Sequence, residues 1–388
     1  MGDAGVAGRP LTVLVEPNPS GHRFQWVSHV VRGLSREGSD ALLLTSVGAT
    51  ETDAYRNFLG PLDVPTLECF PHVYPPPHEV GQAIAEVHRE RPVSRWVVME
   101  ADQLVKRWWL HAPRELRGRG APYGVLVMVR FPPSIQLNRR LLWLRSAKSL
   151  GTLLAMGRGA ARRMAYVAGR DQVRQGLLFK RLRDPALCSA HAADRAAIRD
   201  RQGLPQDRKL VGILGKVDER KCVPMVGAAT FAAGPDVDLL LAGGVSADVE
   251  AWLRSLDPEL SERVHVRAGF LSDDDLDECT AACDVVSVVQ IAPGPSGIRG
   301  KAQVAGVPSL TAGSRVRRRE AEVLGSGIHT DFTVEGIAAG IRALLARGDQ
   351  PVPVSELAPT AEEFADVLLT GGAKPLRRIG GRRRVLVG

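Results

Sequence analysis

The feature that most constrains the fold is an alternation of short apolar runs with amphipathic helical segments, clearest in the second half of the chain. Short apolar runs indicate buried strands, and apolar positions at helical spacing follow each of them. The predicted strands span residues 210–214, 237–242, 264–267, 285–288 and 309–311. The predicted helices span residues 223–232, 247–256, 273–282, 298–305 and 335–345. This alternation is typical of a parallel sheet with helices on both faces.

The first half of the chain shows the same pattern. It opens with Leu11-Thr-Val-Leu-Val15, an apolar run that predicts a buried parallel strand, followed by a loop and a helix from about His22. Further strands are predicted at residues 41–44, 96–99 and 125–129. Residues 138–165 are predicted to be mostly helical and carry many basic residues.

With 388 residues, the chain is long enough for two domains. We predict an α/β protein with two Rossmann-like domains, whose parallel sheets face a central cleft. The predicted units are a first domain (1–186), a linker (187–207), a second domain (208–360), and a terminal helix with a basic tail (361–388).

Several sequence features favour a cytoplasmic protein. No window reaches the 18 to 20 apolar residues of a membrane span, and the N-terminus has no apolar signal core. The five cysteines are odd in number and lack metal-ligand spacing. Cys279 and Cys283 lie one helical turn apart on an apolar stripe, so we expect them in the core. The sequence does not indicate an oligomeric state.

Charge is distributed unevenly. Residues 104–183 hold 18 Lys and Arg against two acidic residues, whereas the whole chain has a formal charge of +8. A solvated surface is the ordinary explanation of a basic run, but an excess of this size within one domain favours an anionic partner. The segment lacks interleaved aromatic residues, so we do not expect nucleic acid as that partner.

Two glycine-containing loops each follow a predicted strand and precede a helix. The first is Leu214-Gly-Lys-Val-Asp-Glu-Arg-Lys221, in which Gly215 permits a tight turn and Lys216 and Lys221 supply cations. The second is Pro293-Gly-Pro-Ser-Gly-Ile298, where Ser296, Gly297 and Ile298 can present backbone N–H groups to an anion. Together they predict a nucleoside-diphosphate site. Neither loop is a Walker or dinucleotide-binding motif.

These loops resemble the donor site of the family 4 retaining glycosyltransferases, which have the GT-B fold. The segment from Gly215 to Lys221 is similar to the family's Gly-Arg-Leu-x-x-x-Lys-Gly loop, with Lys216 in place of the arginine. Val264-His-Val-Arg-Ala-Gly-Phe-Leu271 is similar to its base-binding loop, which implies base contacts near Phe270 and Leu271. Gly306-Val-Pro308 matches a turn flanking the donor site, and Ser20-Gly21-His22 matches the opening of the first helix.

The sequence departs from the family at its two glutamates spaced eight positions apart. Those positions hold Pro293 and Lys301, so carboxylate recognition of the donor sugar by this route is absent. This departure favours an unusual donor sugar, a role in secondary metabolism, or a pseudo-glycosidic transfer that joins two rings through nitrogen.

The resemblance implies transfer of a sugar or sugar-like ring from a nucleotide diphosphate to an acceptor with retention. It implies no cofactor and no metal ion, because basic residues neutralise the leaving diphosphate. We expect the acceptor to be anionic, such as a sugar phosphate or cyclitol phosphate. The candidate catalytic residues are His22, Asp102, Arg130, Lys216 and Lys221, and the candidate donor contacts are Gly21, Gly215, Lys216, Lys221, Phe270, Leu271, Ser296, Gly297 and Ile298.

Other interpretations remain open. A sugar-nucleotide epimerase of the same fold would bind the same donor without an acceptor. A non-catalytic protein bound to a membrane or an anionic polymer would explain the basic segment, and residues 138–165 suit a peripheral membrane contact. Glu100, Asp102 and Arg130 can also form a structural ion-pair cluster. Arg317, Arg318 and Arg319 at a predicted helix start are expected to form a solvated face.

Overall fold

The structure is a computed structural model, and it describes residues 9–20, 23–132, 138–269, 271–290 and 296–371. Within these residues the strands form two parallel sheets, one of seven strands and one of six. The predicted α/β architecture with two Rossmann-like domains is confirmed. Among the described helices, none has the length and apolar character that crossing a membrane requires.

The first sheet has the strand order β3-β2-β1-β4-β5-β6-β7. Its strands are β1 (Leu11–Val15), β2 (Asp40–Ser46), β3 (Thr66–Phe70), β4 (Val93–Val98), β5 (Tyr123–Met128), β6 (Arg163–Ala168) and β7 (Phe179–Arg183). The helices of this part of the chain are α1 (Arg23–Glu37), α2 (Asp53–Phe58), α3 (Pro77–Glu90), α4 (Trp108–His111) and α5 (Arg139–Gly157).

The second sheet has the strand order β10-β9-β8-β11-β12-β13. Its strands are β8 (Lys209–Leu214), β9 (Val237–Gly243), β10 (Val264–Ala268), β11 (Val285–Val289), β12 (Ser309–Ala312) and β13 (Gly327–His329). The helices of this part of the chain are α6 (Arg195–Gln202), α7 (Val223–Ala233), α8 (Ala247–Arg254), α9 (Pro258–Ser261), α10 (Asp273–Ala282), α11 (Gly297–Val304), α12 (Arg315–Leu324), α13 (Val334–Leu345) and α14 (Ala361–Leu369), the last of which packs on the first domain.

Each sheet has apolar layers on both faces because alternate strand residues point to opposite sides. In β8, Val211 and Ile213 join one cluster, whereas Leu210 and Leu214 join the other. A strand buried on both faces is apolar at nearly every position, which explains why the sequence predicted β8, β9 and β11 well. Cys279 and Cys283 are buried in the second of these clusters, as the sequence predicted.

The prediction that residues 138–165 are mostly helical is confirmed, since α5 spans Arg139–Gly157. The helix ends before the stretch does, and residues 163–165 open β6. Gly159 adopts φ +64, a left-handed conformation that glycine takes readily and that ends helices. The predicted linker 187–207 contains α6, in which Arg199 pairs with Asp284 of the second domain at 2.7 Å.

The chain returns to the first domain at its described end. Helix α14 packs on α1, with the Trp26 and Phe364 rings 5.8 Å apart. At Gly33 a Cβ atom would lie 2.8 Å from the Ala365 Cβ, so glycine is what allows the two helices to approach this closely. Helix α14 therefore forms part of the first domain's outer layer.

A buried arginine joins the two domains. Arg170 follows β6 and is 1% exposed. Its Nη2 lies 2.7 Å from an Asp184 carboxylate oxygen, and its Nη1 donates to the Ser296 carbonyl oxygen at 2.6 Å. Its backbone N–H donates to Glu320 at 2.9 Å. Since Ser296 lies at the start of α11, the carboxyl ends of the two sheets meet at this arginine.

Replacing Arg170 by Leu is expected to lower the free energy of unfolding by about 3–5 kcal/mol, because it leaves the buried Asp184 carboxylate without its cation. Urea denaturation followed by circular dichroism measures the loss. Arg174→Leu is the control, since Arg174 is exposed in the same segment and should have little effect. Equal losses in the two variants would contradict the role given to Arg170.

Candidate functional site

The second sheet has a switch point between β8 and β11. The next strand after β8 is β9 on one side, whereas β11 pairs with β8 on the other side. In open parallel sheets the chain leaves such a point in opposite directions, and ligands bind in the crevice at the carboxyl ends of the strands. The first of the two loops that the sequence singled out lies at this switch point, directly after β8. Of the second loop the structure describes Ser296, Gly297 and Ile298, which open α11 after β11, whereas residues 293–295 lie outside the described residues.

The two loops come together at Gly215. This residue has φ +85, and a Cβ atom placed on it would lie 3.5 Å from Ile298 Cδ1 and 3.7 Å from Lys221 Nζ. The left-handed backbone and the close neighbours both favour glycine here. The structure therefore brings together Gly215, Lys221 and Ile298, three of the residues that the sequence predicted for the donor site.

Lys221 is the inner cation of this crevice. Its Nζ donates a hydrogen bond to the Leu214 carbonyl oxygen. Burial lowers the pKa of Lys221 to about 8; the nearby Asp218 opposes this shift, and Arg220 and Arg317 add to it. A bound anion would stabilise the charged lysine. Lys221 is thus placed where an anionic ligand and a protonated side chain favour each other.

Lys216 is the outer cation. It is exposed on the same loop, whereas Lys221 is only partly accessible. The acidic residue nearest in sequence, Asp218, is held by Arg220, whose Nη2 lies 2.8 Å from an Asp218 carboxylate oxygen. Among the described residues no carboxylate lies within salt-bridge distance of Lys216, although the charge of Lys216 contributes to lowering the pKa of Asp218.

The start of α11 supplies backbone donors. Ser296 caps this helix, and its Oγ accepts a hydrogen bond from the Arg299 N–H at 3.3 Å. The N–H groups of Gly297 and Ile298 belong to the first turn, where helical N–H groups have no partner within the helix. A Cβ atom on Gly297 would meet nothing within 4 Å, so space for a ligand lies beside this glycine.

Lys301 stands where the resembled family has its second glutamate, and its side chain turns to a neighbouring helix. Its Nζ contacts the Asp277 carboxylate of α10 and lies 3.9 Å from Asp273. Lys301 is therefore engaged within the protein. Pro293, the other substituted position, lies outside the described residues.

Arg317 corrects one prediction from the sequence. It was expected on a solvated face with Arg318 and Arg319, but it is 2% exposed whereas the other two are exposed. Burial lowers its pKa to about 10. Its Nη1 donates to the Gln290 carbonyl oxygen at the end of β11, at 3.3 Å. Arg317 is thus a buried cation whose charge acts on Lys221, and it belongs to the same site. The apolar residues Val316 and Leu324 on the same helix indicate in the sequence that one face of α12 is buried.

The predicted base-binding loop follows β10, two strands away from β8. Leu271 is half-buried and packs on the apolar cluster of the second domain. Phe270 lies outside the described residues. The loop is at the same edge of the sheet as Gly215 and Lys221.

In the first domain, Asp102 supports the backbone at the end of β5. It accepts hydrogen bonds from the N–H groups of Val129 at 2.7 Å and Arg130 at 3.1 Å, and it contacts Lys148 Nζ. Both Asp102 carboxylate oxygens are therefore engaged within the protein, where they hold the backbone of Arg130 in place. Asp102 was a candidate catalytic residue, and these contacts give it a positioning role instead. The Arg130 side chain is exposed.

Glu100 belongs to a different contact. Its carboxylate accepts hydrogen bonds from Arg23 at 2.8 Å. Glu100, Asp102 and Arg130 therefore do not form one ion-pair cluster. Gly21 and His22 lie outside the described residues. Within the part of the chain that the structure describes, no group of three or more His, Cys, Asp or Glu side chains is arranged to hold a metal ion.

Comparison with solved structures shows that the chain has the GT-B fold. The Anabaena protein HepE, solved in complex with UDP, is 15% identical with a TM-score of 0.62, over 92% of this chain and 95% of that one. Sucrose-phosphate synthase from Thermosynechococcus elongatus is 16% identical with a TM-score of 0.61, over 93% and 95%. A putative UDP-N-acetylglucosamine 2-epimerase from Listeria monocytogenes is 12% identical with a TM-score of 0.62, over 94% and 95%. No protein-family model matches the sequence, and no curated protein matches it significantly.

Gly297→Val is expected to weaken binding of a nucleoside diphosphate by tenfold or more while leaving the melting temperature within a few degrees. The added side chain has space within the protein but fills the place where a phosphate would approach the α11 N–H groups. Isothermal titration with UDP and a thermal melt measure the two effects. A large loss of stability with unchanged UDP binding by the folded fraction would show that this loop is structural.

Proposed function

We propose that the protein is a glycosyltransferase that moves a sugar, or a sugar-like ring, from a nucleoside diphosphate to an acceptor. The observation that carries the proposal is the convergence of Gly215, Lys221 and the start of α11 at the switch point of the second sheet. Two cations and free helical N–H groups in one crevice suit a diphosphate. The GT-B fold is consistent with this role, and a cytoplasmic location is part of the proposal.

The proposed chemistry centres on the leaving group. The bond between the sugar's anomeric carbon and the diphosphate breaks, and Lys216, Lys221 and the N–H groups of Gly297 and Ile298 stabilise the charge that develops. The acceptor attacks from the same face, and its proton passes to the departing phosphate. This route gives retention and requires neither a side-chain nucleophile nor a metal ion.

The solved relatives favour a nucleotide sugar as the donor. HepE has been solved with UDP, with UDP and glucose, and with UDP-glucose. We propose a donor of that class for this chain. The engaged Lys301 at the position of a family glutamate supports an unusual donor sugar. It is also consistent with a secondary-metabolic or pseudo-glycosidic reaction.

An epimerase is the competing function, since one structural neighbour is described as a UDP-N-acetylglucosamine 2-epimerase. The two functions differ in their need for a second substrate. A glycosyltransferase releases the nucleoside diphosphate in proportion to acceptor consumed. An epimerase converts the nucleotide sugar into its isomer with no acceptor present, which chromatography of the nucleotide sugar would reveal.

We propose an anionic acceptor that reaches the first domain near Arg130. The Arg130 backbone is fixed by Asp102, and its guanidinium is exposed at the carboxyl end of β5. The basic segment 104–183 would raise the local concentration of such an acceptor. A sugar phosphate or a cyclitol phosphate meets this description.

Lys221→Ala is expected to slow transfer by about 100-fold or more, because removing one donor to a developing oxyanion typically costs about 2.7–4 kcal/mol. Lys216→Ala should act in the same direction. Lys209→Ala is the control: Lys209 lies at the start of β8, far from the loop, and pairs with the exposed Asp349 at 2.6 Å. Steady-state kinetics measure all three, and equal small effects would contradict the assignment of the cations.

Helix α5 favours an additional peripheral contact with a membrane. Leu142 is 53% exposed, Trp143 67% and Leu150 59%, which is unusual for large apolar side chains. Arg139 and Arg140 are exposed at the same end of the helix. Exposed apolar side chains beside arginines suit the surface of an anionic bilayer.

Trp143→Glu is expected to reduce binding to phosphatidylglycerol vesicles by about tenfold or more, since burying a large apolar side chain contributes about 1.5–3 kcal/mol. Vesicle co-sedimentation measures it. Val323→Glu, at an exposed apolar position in the second domain, is the control. Retention of the wild-type protein by phosphatidylcholine vesicles as strongly as by phosphatidylglycerol would argue against the arginine contribution.

A further inference from the structure

A second switch point lies in the first sheet, between β1 and β4. In this sheet β1 has β2 on one side and β4 on the other, so a crevice forms at the carboxyl ends of these two strands. The crevice is lined by apolar side chains, including Val80 and Leu104, and by the polar residues Glu16, Tyr74, Glu100 and Gln103. It is the counterpart, in the first domain, of the crevice that holds Lys221.

Glu16 is the unusual residue of this crevice. It is fully buried, and its Oε1 accepts a hydrogen bond from the Asn18 N–H at 3.0 Å. Its Oε2 is buried and has no hydrogen-bond partner among the described residues. A buried carboxyl oxygen without a partner costs free energy, so such a group calls for an explanation.

The nearest cation does not supply that partner. Arg23 lies on α1, and both its Nε and Nη2 lie 2.8 Å from one oxygen of Glu100. The crevice thus contains two carboxyl groups and one guanidinium, which is already paired. Asn18 does not reach Oε2 either, since its side-chain amide donates to the Tyr74 hydroxyl at 3.1 Å.

We propose that the crevice between β1 and β4 binds the acceptor through a protonated amine, with the Glu16 carboxylate as its counter-ion. This inference rests on the proposed function and names the class of acceptor. A phosphate here would be repelled by Glu100 and by the ionised form of Glu16. A neutral hydroxyl would not favour ionisation of Glu16, whereas an ammonium group stabilises the Glu16 carboxylate and offers three N–H donors.

The amine is compatible with an anionic group on the same acceptor. Arg130 follows β5, which lies next to β4, so Glu16 and Arg130 follow strands that are two positions apart and lie at the same edge of the sheet. An amino sugar phosphate or an aminocyclitol phosphate carries both groups.

The protonation state of the Glu16 carboxyl group can be measured and should change when an amine binds. Burial raises the pKa of Glu16 to about 8; Arg23 and the Asn18 N–H oppose this shift, and Glu100 adds to it. Glu16 is therefore mostly protonated at pH 7, and an ammonium ligand must favour the ionised form. Affinity for methylammonium, which stays protonated across this range, should rise as pH increases from 6 to 8, by up to tenfold per pH unit.

The experiment follows the Glu16 carboxyl signal by NMR in protein labelled with ¹³C at glutamate carboxyl carbons. The signal is assigned by its loss in Glu16→Gln, with Glu86→Gln as control because Glu86 is exposed on α3. Methylammonium and glucosamine are added at millimolar concentration, with potassium chloride and glucose as their matched comparisons. We expect both amines to lower the Glu16 titration midpoint by one pH unit or more, and the comparisons to leave it unchanged.

Two results would overturn the proposal: no shift with either amine, or an equal shift with glucose and glucosamine. Binding of UDP, measured by thermal stabilisation of the same samples, separates this outcome from failure of the proposed function. UDP binding with no amine effect refutes the amine site alone, whereas absence of UDP binding counts against the donor site. Thermal melts of Glu16→Gln check that this variant is folded.

Discussion

The buried Arg170 guanidinium is the contact on which the geometry between the two sheets depends. It is fixed in the first domain by Asp184, whose other carboxylate oxygen accepts a hydrogen bond from the Trp26 indole at 2.8 Å. It reaches the second domain through the Ser296 carbonyl oxygen. Because Ser296 caps α11, the same arginine that joins the domains also holds the helix start that we assign to phosphate binding.

The glycine at position 300 makes this junction tight. A Cβ atom there would lie 2.7 Å from both the Ala186 Cβ and an Arg170 guanidinium nitrogen. The next buried contact is Arg299 with Glu320, both 0% exposed and 3.7 Å apart. Since Glu320 also accepts the Arg170 N–H, the network continues to α12, on which Arg317 lies. A buried hydrogen bond and an ion pair therefore connect the domain junction with the helix that carries Arg317.

The sequence predicted the interior of the fold better than its edges. Strands β8, β9 and β11 are buried on both faces and read as continuous apolar runs. Strand β3 is an edge strand with three of five residues exposed, and β13 has only three residues. Neither strand shows a clear hydrophobic pattern in the sequence, because an edge strand buries few of its side chains.

The candidate donor site was predicted where local pattern determines it. Gly215 directly follows a buried strand and Lys221 directly precedes a helix. Residues in such a loop lie at the carboxyl end of the strand, so the sequence alone predicts where they are. Arg317 and Glu16 were not predicted, because their burial depends on packing between elements distant in sequence. From a sequence alone, a charged residue is expected at the surface. The structure shows that Arg317 and Glu16 are buried.

The structure also changes the meaning of the basic segment. Three of its cations are paired with carboxylates from outside residues 104–183: Lys148 with Asp102, Arg170 with Asp184, and Arg183 with Glu363. These three stabilise the fold and contribute little field at a distance. The exposed cations lie elsewhere, such as Arg139 and Arg140 on α5 and Arg158, which stacks over the Trp109 ring at 4.7 Å.

The positive potential of the first domain is therefore expected on the α5 side, while the crevice between β1 and β4 contains Glu16 and Glu100. The net charge of a sequence segment does not distinguish between these two surfaces. Their separation allows the same domain to attract an anionic molecule or membrane and to bind a cationic group in its interior. The sign of a binding site is set by the few side chains that line it, because burial strengthens their interaction with a ligand, whereas charges at the surface are screened within about 8 Å at physiological salt.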